Sequence, residues 1–159
     1  MECSGADGSP ADELMRRWET LRVFTLKGWT GEACWMSGKG EALWKREGGG
    51  WRMEEKGTCR MQEAAEESGF WNSWVFSLEE GGALSVAHAR RGEPQSLVNL
   101  IYREGQGWRS EEAHLCGRDE YACQIRETAG EVVMFWDVRG PEKNYRLVRR
   151  YRSGSGGAA

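Results

Sequence analysis

Along most of this chain, polar and apolar residues alternate with a period of two. In 51–61, Trp51, Met53, Cys59 and Met61 oppose Arg52, Glu54, Lys56, Thr58 and Arg60. In 70–78, Phe70, Asn72, Trp74, Phe76 and Leu78 oppose Trp71, Ser73, Val75 and Ser77, and in 83–90 Leu84, Val86 and His88 oppose Ser85, Ala87 and Ala89. Val132, Met134, Trp136 and Val138 alternate with Val133, Phe135 and Asp137, while Tyr145, Leu147, Arg149 and Tyr151 oppose Arg146, Val148, Arg150 and Arg152. Successive side chains of a strand point to opposite faces, so most of these runs are strands with one apolar or aromatic face and one charged face.

Glycine-centred turns separate the runs: SGKG (37–40), EGGG (47–50), EEGG (79–82), EGQG (104–107), CGRD (116–119), TAG (128–130) and RGPEKN (139–144). Short strands joined by short turns pair antiparallel with their neighbours. No series of helices is available to cover the apolar face. Closing the sheet on itself solves both the burial and the edge problem. The pattern therefore predicts an all-β, antiparallel up-and-down β-barrel of roughly 8 to 11 strands. One helix is predicted, over 12–21, with Leu14, Trp18 and Leu21 on one face and acidic residues at its start. The expected domain is 12–152, between tails at 1–11 and 153–159 of linker composition, expected to be disordered.

One hairpin is written twice. REGGGWRMEEKGTC (46–59) and REGQGWRSEEAHLC (103–116) share nine of fourteen positions without a gap. Gly-x-Gly makes the turn in each, and Trp51 and Trp108 are expected at matched inward positions. The second copy carries His114 where the first has Gly57, so the hairpin scaffold itself does not require an imidazole there.

Composition narrows the class. The 159 residues carry a formal charge of −3, which does not recommend a nucleic-acid backbone as partner. No apolar run approaches the roughly 20 residues that span a bilayer. The opening MECSGADGSPADELM has neither a basic n-region nor an apolar h-region, so no secretory signal is expected. Five cysteines without a CxxC pair argue for reduced thiols in the cytoplasm or another reducing compartment.

A polar group on the inward parity costs about 1–3 kcal/mol unless paired, and so needs a reason. Continuing from Trp108, that parity gives Ser110, Glu112, His114 and Cys116; the next run gives Asp119, Tyr121 and Cys123. Tyr145, Arg149 and Tyr151 join them from the last strand, with Asn72 and His88 from earlier ones. Two readings stand side by side. In one, Trp74, Trp108 and Trp136 are the walls of a ligand cavity and Arg149 binds an oxyanion through its planar fork. In the other, the barrel is full: Asp119 pairs with Arg149 and His114 bonds a backbone carbonyl. His114, Asp119 and Tyr121 are also candidates for general acid–base work. The spacing of His114, Cys116 and Asp119 matches no standard closed zinc site, and no metal is expected.

The residues HLCGRDEY…FWDVRGPEKNYRLVRRYR resemble an uncharacterised lipocalin-like (calycin-type) β-barrel family, classified as a domain of unknown function. Its pattern falls here on His114, Cys116, Asp119 and Tyr121, then on Trp136, Val138, Gly140, Pro141, Lys143 and Tyr145, and ends on Arg149 and Tyr151. GEACW (31–35), LWKREGG (43–49) and FWNSWVF (70–76) are also similar to that family's early strands. The resemblance implies a cup holding a small apolar or amphipathic molecule. Some relatives of that architecture hold haem or a bilin; no cofactor is predicted here beyond that.

The expected function is thus an intracellular barrel that binds a small amphipathic molecule with an acidic or polar head group. Its expected ligand-binding residues are Trp74, His88, Trp108, His114, Asp119, Tyr121, Trp136, Tyr145, Arg149 and Tyr151. Two alternatives stay open: a non-redox lyase, isomerase or cyclase in the same cup, or a filled barrel that binds a protein partner through Trp71 and the basic last strand.

Overall fold

The structure, a computed structural model, describes residues 8–89 and 93–154. The tail segments 1–7 and 155–159, for which disorder is expected, lie outside the described residues. Among the described residues one α-helix, α1 (Pro10–Trp18), precedes eleven strands. These are β1 (Val23–Thr30), β2 (Ala33–Glu47), β3 (Gly50–Met61), β4 (Ser68–Leu78), β5 (Leu84–His88) and β6 (Gln95–Arg103), followed by β7 (Gly107–Ser110), β8 (His114–Cys116), β9 (Asp119–Thr128), β10 (Glu131–Arg139) and β11 (Asn144–Arg152). Every pairing is antiparallel, and each strand up to β7 lies beside its neighbours in sequence. β7 then pairs with β9, and β11 pairs with β1, which closes a ten-stranded barrel; β8 adheres to β9 alone. The predicted barrel is present.

The helix starts earlier and stops sooner than the 12–21 expected from periodicity. Ser9 caps it by accepting from the Asp12 amide at 3.2 Å, and Pro10 occupies the first turn, where its missing N–H costs nothing. Pro10 and Ala11 therefore belong to the helix rather than to a tail. Ala11, Leu14, Met15 and Trp18 are fully buried. The Trp18 ring meets Trp44, Phe76 and Tyr151 at 5.3, 5.0 and 5.2 Å between centroids. Arg17 donates to the backbone oxygens of Thr128 and Glu131, at the β9–β10 turn. α1 is thus a plug in one end of the barrel.

The period-two alternation holds through the middle of the strands and fails at their ends. Trp51, Met53, Trp74, Phe76, Leu84, Val86, Met134 and Trp136 are buried as expected. Met61 and Leu78, expected inward, are 48% and 39% exposed because each ends its strand at the barrel rim. Both copies form a hairpin and bury Trp51 and Trp108, but the turns differ: the first is a two-residue loop at 48–49 and the second a three-residue loop at 104–106.

The copies then diverge, for two physical reasons. Gly57 faces Gly40 across the β2–β3 ladder, and a Cβ on Gly57 would run into the Lys39 carbonyl oxygen and the Gly40 Cα. No side chain fits there. In the second copy, β7 leaves β9 after two paired positions. The Ser110 hydroxyl takes over from the backbone, accepting from the Cys123 amide at 2.7 Å and donating to its carbonyl at 3.1 Å. Residues 111–113 loop out, and β8 rejoins β9 with His114 opposite Tyr121. Glu112, expected inward, is exposed on that loop.

Overpacking a closed backbone contact costs about 1–3 kcal/mol. Gly57→Ala should therefore lower stability by roughly that much in urea unfolding. Gly48→Ala, at a turn with open space around it, should cost only its backbone strain, about 1 kcal/mol.

Candidate functional site

Three polar or charged residues are buried among the described residues: Glu55 and Arg149, which point into the barrel, and Ser73, which lies on the outer face of β4 and accepts from Arg52 at 2.8 Å. β11 directs Arg149 inward between Leu26 of β1 and Met134 of β10. β3 directs Glu55 inward from the register position between Ala42 and Asn72. The two side chains meet across the interior, with Arg149 Nε 3.2 and 3.1 Å from the two Glu55 oxygens. Each is almost wholly out of water. Such a pair repays its desolvation only when the remaining lone pairs are also satisfied. Here they are. Trp74 Nε1 donates to Glu55 at 2.9 Å and the Tyr151 hydroxyl at 2.5 Å.

The Asn72 amide completes the network. In one orientation its nitrogen lies 3.3 Å from Glu55 Oε1. Turned over, its oxygen accepts from Arg149 Nη2 at 3.3 Å and its nitrogen donates to the Trp71 carbonyl at 3.2 Å. The turned form gives the guanidinium a second acceptor and relieves a carboxylate that already has three donors. Arg149 also lies over the Trp74 ring, 5.3 Å from its centroid.

Burial opposes the Arg149 charge most strongly, but Glu55 and Tyr151 together raise the pKa, so the guanidinium stays charged. Burial, and then the Glu55 charge, push the Tyr151 phenol well above its ordinary range and keep it a hydrogen-bond donor. Burial likewise pushes the Cys123 thiol far up, which leaves it inert as a nucleophile.

Above this pair, towards the end opposite α1, lies a cavity of about 440 Å³. It brings together seven of the ten expected ligand-binding residues: Trp74, His88, His114, Tyr121, Trp136, Tyr145 and Arg149. Asn72, Gln95, Leu97, Cys116, Val138 and Leu147 complete the lining. Trp74 and Trp136 stack nearly parallel at 5.7 Å, and His88 lies 4.7 Å from Trp74. Trp136 is buried, and its indole N–H has no partner among the described residues. Both histidines of the chain line this one space.

Three expected residues stand elsewhere. Trp108 is buried against Tyr102 at 5.3 Å and does not reach the cavity lining. Tyr151 lies on the plug side of Glu55, between it and Trp18. Asp119 sits at the β8–β9 turn and pairs with Lys143 at 3.1 Å. The alternative pairing of Asp119 with Arg149 is therefore replaced by Glu55 with Arg149. Lys143 also donates to the Tyr121 hydroxyl at 3.5 Å, which ties the β10–β11 turn to the cavity rim. Of the acid–base candidates, the His114 and Tyr121 rings are 6.2 Å apart, and no hydrogen bond joins His114, Asp119 and Tyr121 among the described residues. Among the described residues no three His, Cys, Asp or Glu side chains gather to hold a metal ion.

Glu55 is the residue that sequence analysis leaves out. The signal is present: the parity that turns Trp51 and Met53 inward continues to 55. A carboxylate among apolar positions gives no hint of its partner, 94 residues away along the chain.

A family model described as a family of unknown function (DUF6314) matches residues 14–153. No curated protein matches the chain.

Removing one member of a buried pair costs about 3–5 kcal/mol because the other charge is stranded. Glu55→Gln should lose stability of that order in urea unfolding. Adding Arg149→Met to Glu55→Gln should restore part of the loss, since no charge is then stranded. A cost below about 1 kcal/mol for Glu55→Gln would show that the pair does not organise the interior.

Proposed function

The chain belongs to this family of unknown function, and from that premise we propose that its barrel binds a small, partly apolar molecule with an acidic or polar head group. The reading rests on one observation. A buried guanidinium lines the floor of an aromatic-walled cavity, and the nitrogen that Glu55 holds is Nε. One Nη2 hydrogen goes to Asn72 in the turned form, which leaves Nη1 and the other Nη2 hydrogen as the donors that a head group can use; an arginine fork binds a carboxylate or similar oxyanion in two parallel bonds. Trp74, Trp136, Val138 and Leu147 offer apolar wall to the rest of the molecule. His88, His114 and Tyr121 are the hydrogen-bonding partners around it.

A closed antiparallel barrel with a helix plugging one end supports the calycin-type cup that the motif resemblance implies. The four described cysteines are unpaired, which accords with a reducing intracellular compartment. The open volume speaks against the filled-barrel alternative, and the engagement of Asp119 with Lys143 speaks against its use as a base.

The test compares laurate with its uncharged counterpart dodecanol, followed by quenching of the native tryptophans. Arg149→Lys keeps a cation beside Glu55 but loses the fork. It should weaken laurate binding about tenfold or more, roughly 1.4 kcal/mol, and leave dodecanol binding nearly unchanged. Equal laurate affinity in a folded Arg149→Lys variant would remove the head-group role.

A further inference from the structure

The barrel wall is not continuous. β2 and β3 share twelve paired positions and β9 and β10 share nine, but β7 holds β9 at only two. β6 is paired to β7 from Leu100 to Arg103, and the last ladder bond on that side runs from the Glu111 amide to the Asn99 oxygen at 2.9 Å. Beyond it, β8 pairs with β9 but not with β6. The stretch of β6 from Gln95 to Val98 and β8 therefore face each other without a ladder between them. A bulge sits at the same place: Val86 opposes Val98 and Ala87 opposes Ser96, which leaves Leu97 as the extra residue.

This seam separates two spaces. Inside is the ligand cavity, and outside is a groove of about 490 Å³. Leu97 from β6 and His114 from β8 line both. Elsewhere the wall is a hydrogen-bonded sheet, which a ligand cannot cross without breaking ladder bonds. At the helix end α1 fills the barrel. At the far rim, Lys143 ties the β10–β11 turn to Asp119 and Tyr121.

We propose that the seam between β6 and β8 is the lateral entrance to the cavity, with Leu97 and His114 as its gate. The inference rests on the ligand-binding reading above and narrows the ligand class. The ligand is a single-tailed amphiphile whose head reaches Arg149 while its tail points towards the seam, near Leu115. Leu115 is 67% exposed and lines the outer groove, so it offers apolar surface where a tail would leave.

A gate residue changes the rates of binding and release together and leaves Kd in place, whereas a wall residue changes Kd. Laurate binding to the full chain, followed by stopped-flow tryptophan fluorescence, makes this distinction. Leu97→Trp should slow association and dissociation together, each about fivefold or more and by more than Kd changes, and Leu97→Ala should speed both. Leu97→Ala keeps the test decisive if the larger side chain impairs folding. Rates unchanged in a folded variant, with Kd preserved, would overturn the entrance alone. A change confined to dissociation would make Leu97 a wall. Failure of the wild-type protein to bind laurate at equilibrium would overturn the binding reading, and the entrance with it.

Discussion

A carboxylate with no exposed surface sets the terms for the interior of this barrel. Buried there, its oxygens need donors, and Glu55 gathers them from two strands: Trp74 from β4, and Arg149 and Tyr151 from β11, with Asn72 of β4 beside them. β3 and β11 are separated in the ring by β1 and β2, so the interaction braces two strands that share no ladder. It also fixes the side chains themselves. Tyr151 is held against the plug helix, and Arg149 is held against the cavity with its Nε already engaged. A guanidinium anchored in this way loses little further freedom when it takes a ligand, which is the energetic value of preorganisation.

The same interaction divides the barrel into two halves with different packing. On one side, Trp18, Trp44, Phe24, Phe76 and Tyr151 interlock mostly in tilted and edge-on contacts, with Trp44 stacked on Phe76, and α1 fills the end. On the other, Trp74 and Trp136 stack on each other and leave open volume beside both histidines. Aromatic side chains serve each half differently: as interdigitated filling in the first, and as a flat wall in the second.

Much of this arrangement is legible in the sequence. Alternation identified the strands and the inward positions of Trp74, Trp136 and Arg149, because burial of one sheet face forces period two. Seven of the ten residues expected to bind a ligand do share one cavity. What alternation could not supply is distance along the barrel axis: Tyr151 and Trp108 are inward but lie outside the cavity lining. Nor could it identify a partner across the ring, so Glu55 escaped notice and Asp119 was matched to Arg149 in its place. The interruption after Ser110 was equally hidden, since a hydroxyl substituting for a ladder bond leaves no mark on the hydrophobic pattern.

The claim that this cavity is a binding site is tested most directly on protein purified gently from its own host. Native mass spectrometry, with an absorbance spectrum of the same sample, should show a discrete mass increment above the bare chain that is lost on denaturation. A visible band would identify that increment as a haem or bilin, and its absence would indicate a colourless amphiphile. The bare-chain mass alone, in every such preparation, would contradict the account.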